Sequence, residues 1–102
     1  MAHYKGMKTF ILSMTLLIAM TLSSAAAAET CYADYKAKQD SPLRLHYGVA
    51  RLSGACDKKS AQQELTPRLA AEGWTLLTIV SVFGEDGLEQ RKDSAGQNYL
   101  RF

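Results

Sequence analysis

The sequence predicts an α+β domain in which a mainly antiparallel sheet of four or five strands carries one helix on one face. Three observations support this fold class. Residues 31–38 and 43–52 alternate apolar and polar side chains, as half-buried strands do. Residues 57–72 space their apolar side chains as a helix does. Residues 74–83 are rich in β-branched and aromatic residues, which favour strands.

The first two strands are predicted to form a hairpin. A turn at residues 39–42 separates them, where Pro42 fixes the backbone and the preceding Asp and Ser can bond to it. The first strand places its small and apolar residues on one side, and these are Cys31, Ala33, Tyr35 and Ala37. The second strand alternates in the same way and ends at Ser53-Gly54.

The single predicted helix begins at Asp57 or Ser60, either of which can cap it, and ends before Gly73. Pro67 is unfavourable there, because it lacks a backbone donor and costs about 3 kcal/mol in a regular interior. Either the helix kinks at Pro67, or Thr66 caps a second short helix. The sequence does not decide which of the two faces of the sheet this helix covers.

Residues 74–83 are apolar on both sides, which predicts a strand at the centre of the sheet. Residues 88–92 and 97–102 are predicted to be two further short strands, since turns at 84–87 and 93–96 bound them. These segments complete the sheet of four or five strands.

Residues 1–28 have the composition of a cleavable signal peptide. Two lysines precede an apolar run of 13 residues, Phe10–Leu22, and small residues end in an Ala-x-Ala site at Ala28. That run is too short to span a bilayer, which needs about 20 residues. We therefore expect a periplasmic or secreted protein, with one domain at residues 29–102 and no transmembrane anchor after cleavage. Met1 and Met7 are both possible starts.

The net charge of +2 belongs to the leader, because the rest of the chain has ten basic and ten acidic residues. This balance argues against a nucleic-acid or anionic-lipid partner. Cys31 and Cys56 are the only cysteines, and in an oxidising compartment such a pair predicts a structural disulfide. A redox role is the alternative, although the chain has no Cys-x-x-Cys motif.

Catalytic and metal-binding patterns are missing from the sequence. His46 is the only histidine after residue 28, which leaves no histidine pair for a metal, and no Gly-x-Ser-x-Gly elbow is present. We interpret His46 as a solvated or hydrogen-bonded surface residue, and we expect no cofactor and no catalytic residue. The alternative is a small hydrolase or thiol-redox enzyme that uses His46 or the cysteines.

A non-enzymatic binding or interaction module is therefore the favoured function. One helix covers only one face of a sheet, and the strand at 74–83 carries apolar residues on both. Leu77, Ile79 and Phe83 are predicted to form the uncovered patch, and such patches mark interfaces. The expected partner is an unknown protein or envelope component, or a second copy of the chain.

Five short motifs distributed over residues 31–102 carry a resemblance. They are Cys-Tyr-Ala-Asp-Tyr-Lys, Leu-His-Tyr-Gly, Gly-Trp-x-Leu-Leu, Ser-Val-Phe and Ala-Gly-x-x-Tyr-Leu-Arg-Phe. Together they resemble a group of short exported bacterial proteins of unknown function. The helix–Gly–Trp–strand element is similar to small domain-of-unknown-function families built as strand–helix–strand–strand. Neither resemblance implies an activity or a catalytic residue.

Overall fold

A computed structural model describes residues 29–102, so the predicted signal peptide at residues 1–28 lies outside the described residues. Three strands, two α-helices and two 3₁₀ turns make up the described chain. In order they are β1 (Cys31–Gln39), β2 (Arg44–Leu52), α1 (Lys58–Ala70), β3 (Thr75–Phe83), a turn at Glu85–Gly87, α2 (Glu89–Ala95) and a turn at Gly96–Asn98.

The three strands form one antiparallel sheet in the order β2–β1–β3. The predicted hairpin of β1 and β2 is confirmed, with Cys31 opposite Leu52 and Gln39 opposite Arg44. The α+β class is also confirmed. The described sheet has three strands, however, and not the four or five that were predicted.

The central position belongs to β1, so the prediction that β3 lies centrally is wrong. Two register shifts in the β1–β3 pairing leave Leu77 and Val80 without a partner residue on β1. Both are β-bulge positions, and their side chains are 50% and 40% exposed. Bulges are common on edge strands, where they discourage pairing with another chain. The apolar run of β3 therefore reflects interrupted alternation at an edge.

The segment after β3 is helical, so the prediction of strands at residues 88–92 and 97–102 is also wrong. Helix α2 is a second helix, and its Ala95 packs with Tyr32 and Val49 in a cluster separate from that of α1. One trace of strand pairing survives near the C-terminal end. Tyr99 forms an isolated parallel bridge with Val49, and Leu100 N donates to Val49 O at 2.8 Å.

Helix α1 covers the opposite face of the sheet and buries Ala61, Leu65 and Leu69. Its N-cap is Asp57, whose Oδ1 accepts from Ser60 N at 2.8 Å. The helix continues through Pro67, so no second helix capped at Thr66 forms. The first half of β1 is thus covered on both faces, which explains why the four consecutive residues Tyr32, Ala33, Asp34 and Tyr35 are all buried.

Candidate functional site

The predicted disulfide is present between Cys31 and Cys56, whose Cα atoms are 5.8 Å apart. The hairpin register brings the end of β2 back to Cys31, and the chain reaches Cys56 a few residues later. Residues 29–102 contain no free cysteine. The bond ties the start of the central strand to the segment that leads into α1, which is a structural position.

The three residues of the predicted apolar patch do not lie together. Ile79 is buried in the α1 core, whereas Phe83 is half-buried in the cluster under α2. Only Leu77 is largely exposed. The bulges at Leu77 and Val80 cause this separation, because each one shifts the following residues to the other face.

Leu77 instead contributes to a shallow apolar hollow of about 350 Å³ that sequence reasoning missed. We call it the sheet-end hollow; it is lined by Lys36, Ala37, Leu45, His46, Tyr47 and Leu77. Leu45 is 66% exposed, because the α2 cluster packs against the other end of this face, around Tyr32 and Val49. The exposed leucines come from the two edge strands, which the sequence alone could not place on either side of β1.

A buried polar network centres on Asp34, which is 4% exposed. Its Oδ1 accepts from Ser81 Oγ at 2.6 Å, and its Oδ2 accepts from Tyr47 Oη at 2.7 Å and Arg91 Nε at 3.0 Å. Arg91 also lies over the ring of Phe83, with its Cζ 3.9 Å from the ring centroid. One carboxylate thereby connects all three strands to α2.

The electrostatics of this network favour an ionised Asp34. Burial raises the pKa of Asp34, but the hydrogen bonds from Ser81, Tyr47 and Arg91 outweigh it, so the pKa lies below the ordinary 3.8. Burial and the bond to Asp34 raise the pKa of Tyr47 to about 12. At neutral pH Asp34 therefore stays ionised and Tyr47 stays protonated, which fits a structural role.

His46 lies in an aromatic cluster on the α1 face. Its ring makes an edge contact with Trp74 at 4.3 Å between centroids and stacks on Phe102 at 5.5 Å. Its Nε2 lies 2.9 Å from Oη of the fully buried Tyr35. Burial, and then the charge of Arg101, lower the pKa of His46. His46 is therefore half-buried, its surroundings favour the neutral imidazole, and of the two predicted environments it has the hydrogen-bonded one.

Beside this cluster is a polar cleft of about 370 Å³, which we call the arginine cleft. Strand ends, the loop before β3 and the C-terminal segment all contribute to its walls. Its lining includes Arg44, His46, Trp74 and Arg101. The only acidic residue in the wall is Glu72, so the side chains around the cleft are positively charged on balance.

Within residues 29–102, no group of three His, Cys, Asp or Glu side chains is placed to hold a metal ion. The same residues contain no helix long and apolar enough to cross a membrane. Comparison with family models, curated proteins and solved structures finds no match to this chain.

Proposed function

We propose that the protein is a non-enzymatic, extracytoplasmic interaction module that binds a protein partner through the sheet-end hollow. The observation that carries this proposal is the exposure of Leu45 and Leu77, at 66% and 50%, in one apolar hollow. Apolar side chains grouped in this way on a small domain are typical of interaction surfaces.

The polar groups inside the fold support a binding role over catalysis. The carboxylate of Asp34 is occupied by three donors, and the described cysteines are joined to each other. The Nε2 of His46 is bonded to a tyrosine, so no serine or cysteine is activated by it. These arrangements stabilise the fold, and among residues 29–102 neither ring nitrogen of His46 is hydrogen-bonded to a serine or a cysteine.

The edge of the hollow indicates the chemistry of the partner. Lys36 is exposed and makes no ion pair with another described residue, while Lys38 is paired with Asp40 at 3.4 Å. A partner's apolar side chain can pack against Leu45 and Leu77, and a neighbouring carboxylate of that partner can pair with the ammonium group of Lys36. We therefore expect a partner surface that combines apolar and acidic residues.

Photocrosslinking in cells that express the full chain tests this proposal. A benzophenone amino acid replaces Leu45 or Leu77, and in the control it replaces the exposed Asp93 on α2. We expect one adduct of the same mass from positions 45 and 77 and none from 93. An adduct of twice the chain mass identifies a second copy as the partner. No adduct, or the same adduct from all three positions, would refute the proposal.

The extracytoplasmic location is tested separately by the intact mass of the exported protein. The Ala-x-Ala site predicts a mature chain that begins at Glu29, within two residues. The disulfide supports this location, because such bonds persist in oxidising compartments. A membrane-bound species that retains Phe10–Leu22 would show that the segment is an anchor.

A further inference from the structure

We propose that the arginine cleft is a binding site for a small organic anion in which a carboxylate is attached to a planar apolar body. The cleft lies at the end of the sheet where β1 ends and β2 and β3 begin. This inference goes beyond the protein-binding role, because Arg44 and Arg101 line the cleft and do not line the sheet-end hollow.

Two guanidinium groups supply the recognition of a carboxylate. Arg44 and Arg101 make no ion pair and donate no side-chain hydrogen bond to another described residue, unlike Arg68 and Arg91. A guanidinium group matches the two oxygens of a carboxylate with two parallel donors. Glu72 alone opposes these two charges in the cleft wall, so an anion is attracted.

Aromatic side chains supply the surface for a planar body. Trp74 is half-buried in the cleft wall, and Arg44 lies 6.0 Å from its ring centroid. His46 packs edge-on against the same indole. Because the guanidinium of Arg44 lies over the ring of Trp74, a flat apolar group that packs against this indole brings an attached carboxylate within reach of that guanidinium.

Two energetically unfavourable features lie in or next to this cleft. His46 Nδ1 is shielded from solvent and has no hydrogen-bond partner among residues 29–102. Leu100, directly before Arg101, has a φ of 56°, in the left-handed region that costs a side chain about 1–2 kcal/mol. An unsatisfied polar atom on one residue of the cleft and a strained residue directly before another are features typical of functional sites.

Intrinsic fluorescence provides a direct test, because Trp74 is the only tryptophan in the chain. Benzoate is titrated into the folded protein, with benzamide as the neutral probe of the same shape and inorganic phosphate as the anion without an apolar body. We expect a saturable change in emission with benzoate and much weaker responses to the other two. A linear benzoate response, or equal affinity for benzamide or phosphate, would overturn the proposal.

Variants locate the site. Arg44→Gln and Arg101→Gln should each weaken benzoate binding by about tenfold or more, because each removes hydrogen bonds to a charged group. Arg51→Gln, at the other end of β2, removes an exposed arginine outside the cleft and should leave the affinity unchanged. Far-ultraviolet circular dichroism confirms that each variant is folded. Equal weakening by Arg51→Gln would assign the effect to net charge and overturn the site.

Discussion

Replacing Asp34 by asparagine tests whether the buried network holds the sheet to α2. The amide keeps the size of the side chain, but it removes the negative charge that faces Arg91 and replaces one acceptor oxygen with a donor. Three groups now donate to that carboxylate, at 2.6 to 3.0 Å. Asp34→Asn therefore leaves Arg91 without a counter-charge, and the hydroxyl of Ser81, which now donates to Oδ1, has to turn and accept from the new amide.

The cost follows from burial of the pair. Removing one partner of a buried ion pair costs about 3–5 kcal/mol. The side chain of Arg91 is 21% exposed and that of Asp34 is 5% exposed. Because Arg91 is partly solvated, we expect a cost at the lower end of this range, about 3 kcal/mol. For a domain of this size that lowers Tm by about 12–24 °C. Urea denaturation followed by Trp74 fluorescence measures the free energy of unfolding.

Asp40→Asn is the matched control. Asp40 pairs with Lys38 at 3.4 Å, but their side chains are 65% and 35% exposed. Exposed pairs contribute less than about 1 kcal/mol, so this variant should unfold almost as the native protein does. Two variants that differ by less than about 0.5 kcal/mol would refute the structural role of the Asp34 network.

The same network predicts acid sensitivity. The pKa of Asp34 is lower in the folded protein than the ordinary 3.8, since donor hydrogen bonds outweigh burial. The unfolded chain therefore takes up this proton first. The contribution of Asp34 is complete above pH 3.8 and disappears as the pH falls through the folded value. Asp34→Asn should have a shallower loss of stability in that range, and an unchanged acid slope would contradict the assignment.

The remaining predictions concern the disulfide, a close backbone contact and the aromatic cluster. Reduction of Cys31–Cys56 should lower the free energy of unfolding by about 2–4 kcal/mol, and an unchanged urea midpoint would contradict its stabilising role. Gly48→Ala should lower the free energy of unfolding by about 1–3 kcal/mol in the same assay, because a Cβ there would lie 2.5 Å from Oη of the buried Tyr35. Gly84→Ala is the control and should leave stability unchanged, because no atom lies within 4 Å of the added Cβ. His46→Ala should lower the free energy of unfolding by about 1–3 kcal/mol, because it leaves Oη of Tyr35 without its partner. Thermal unfolding at neutral pH measures this loss, and a Tm equal to that of the native protein would contradict the prediction.

Local spacing was sufficient for the features that depend on neighbouring residues. Alternation along β1 and β2 with a polar turn between them predicted the hairpin, and that hairpin brings Cys31 toward Cys56. Helical spacing predicted α1, and of the two capping residues that the sequence offered, Asp57 and Ser60, the structure uses Asp57. In each case the signal is a residue pattern read over one or two turns or strands.

Only the tertiary structure decided the strand order, the helix α2 and the contents of the candidate sites. The bulges at Leu77 and Val80 break the period of two, so the faces of β3 could not be assigned by counting. Helix α2 has seven residues, too few for a clear periodic signal, and it is stabilised by packing on Tyr32 and Val49. Asp34 looks like a solvated strand residue until distant donors surround it. These outcomes depend on which segments meet, and that is set by the free energy of the whole packed domain.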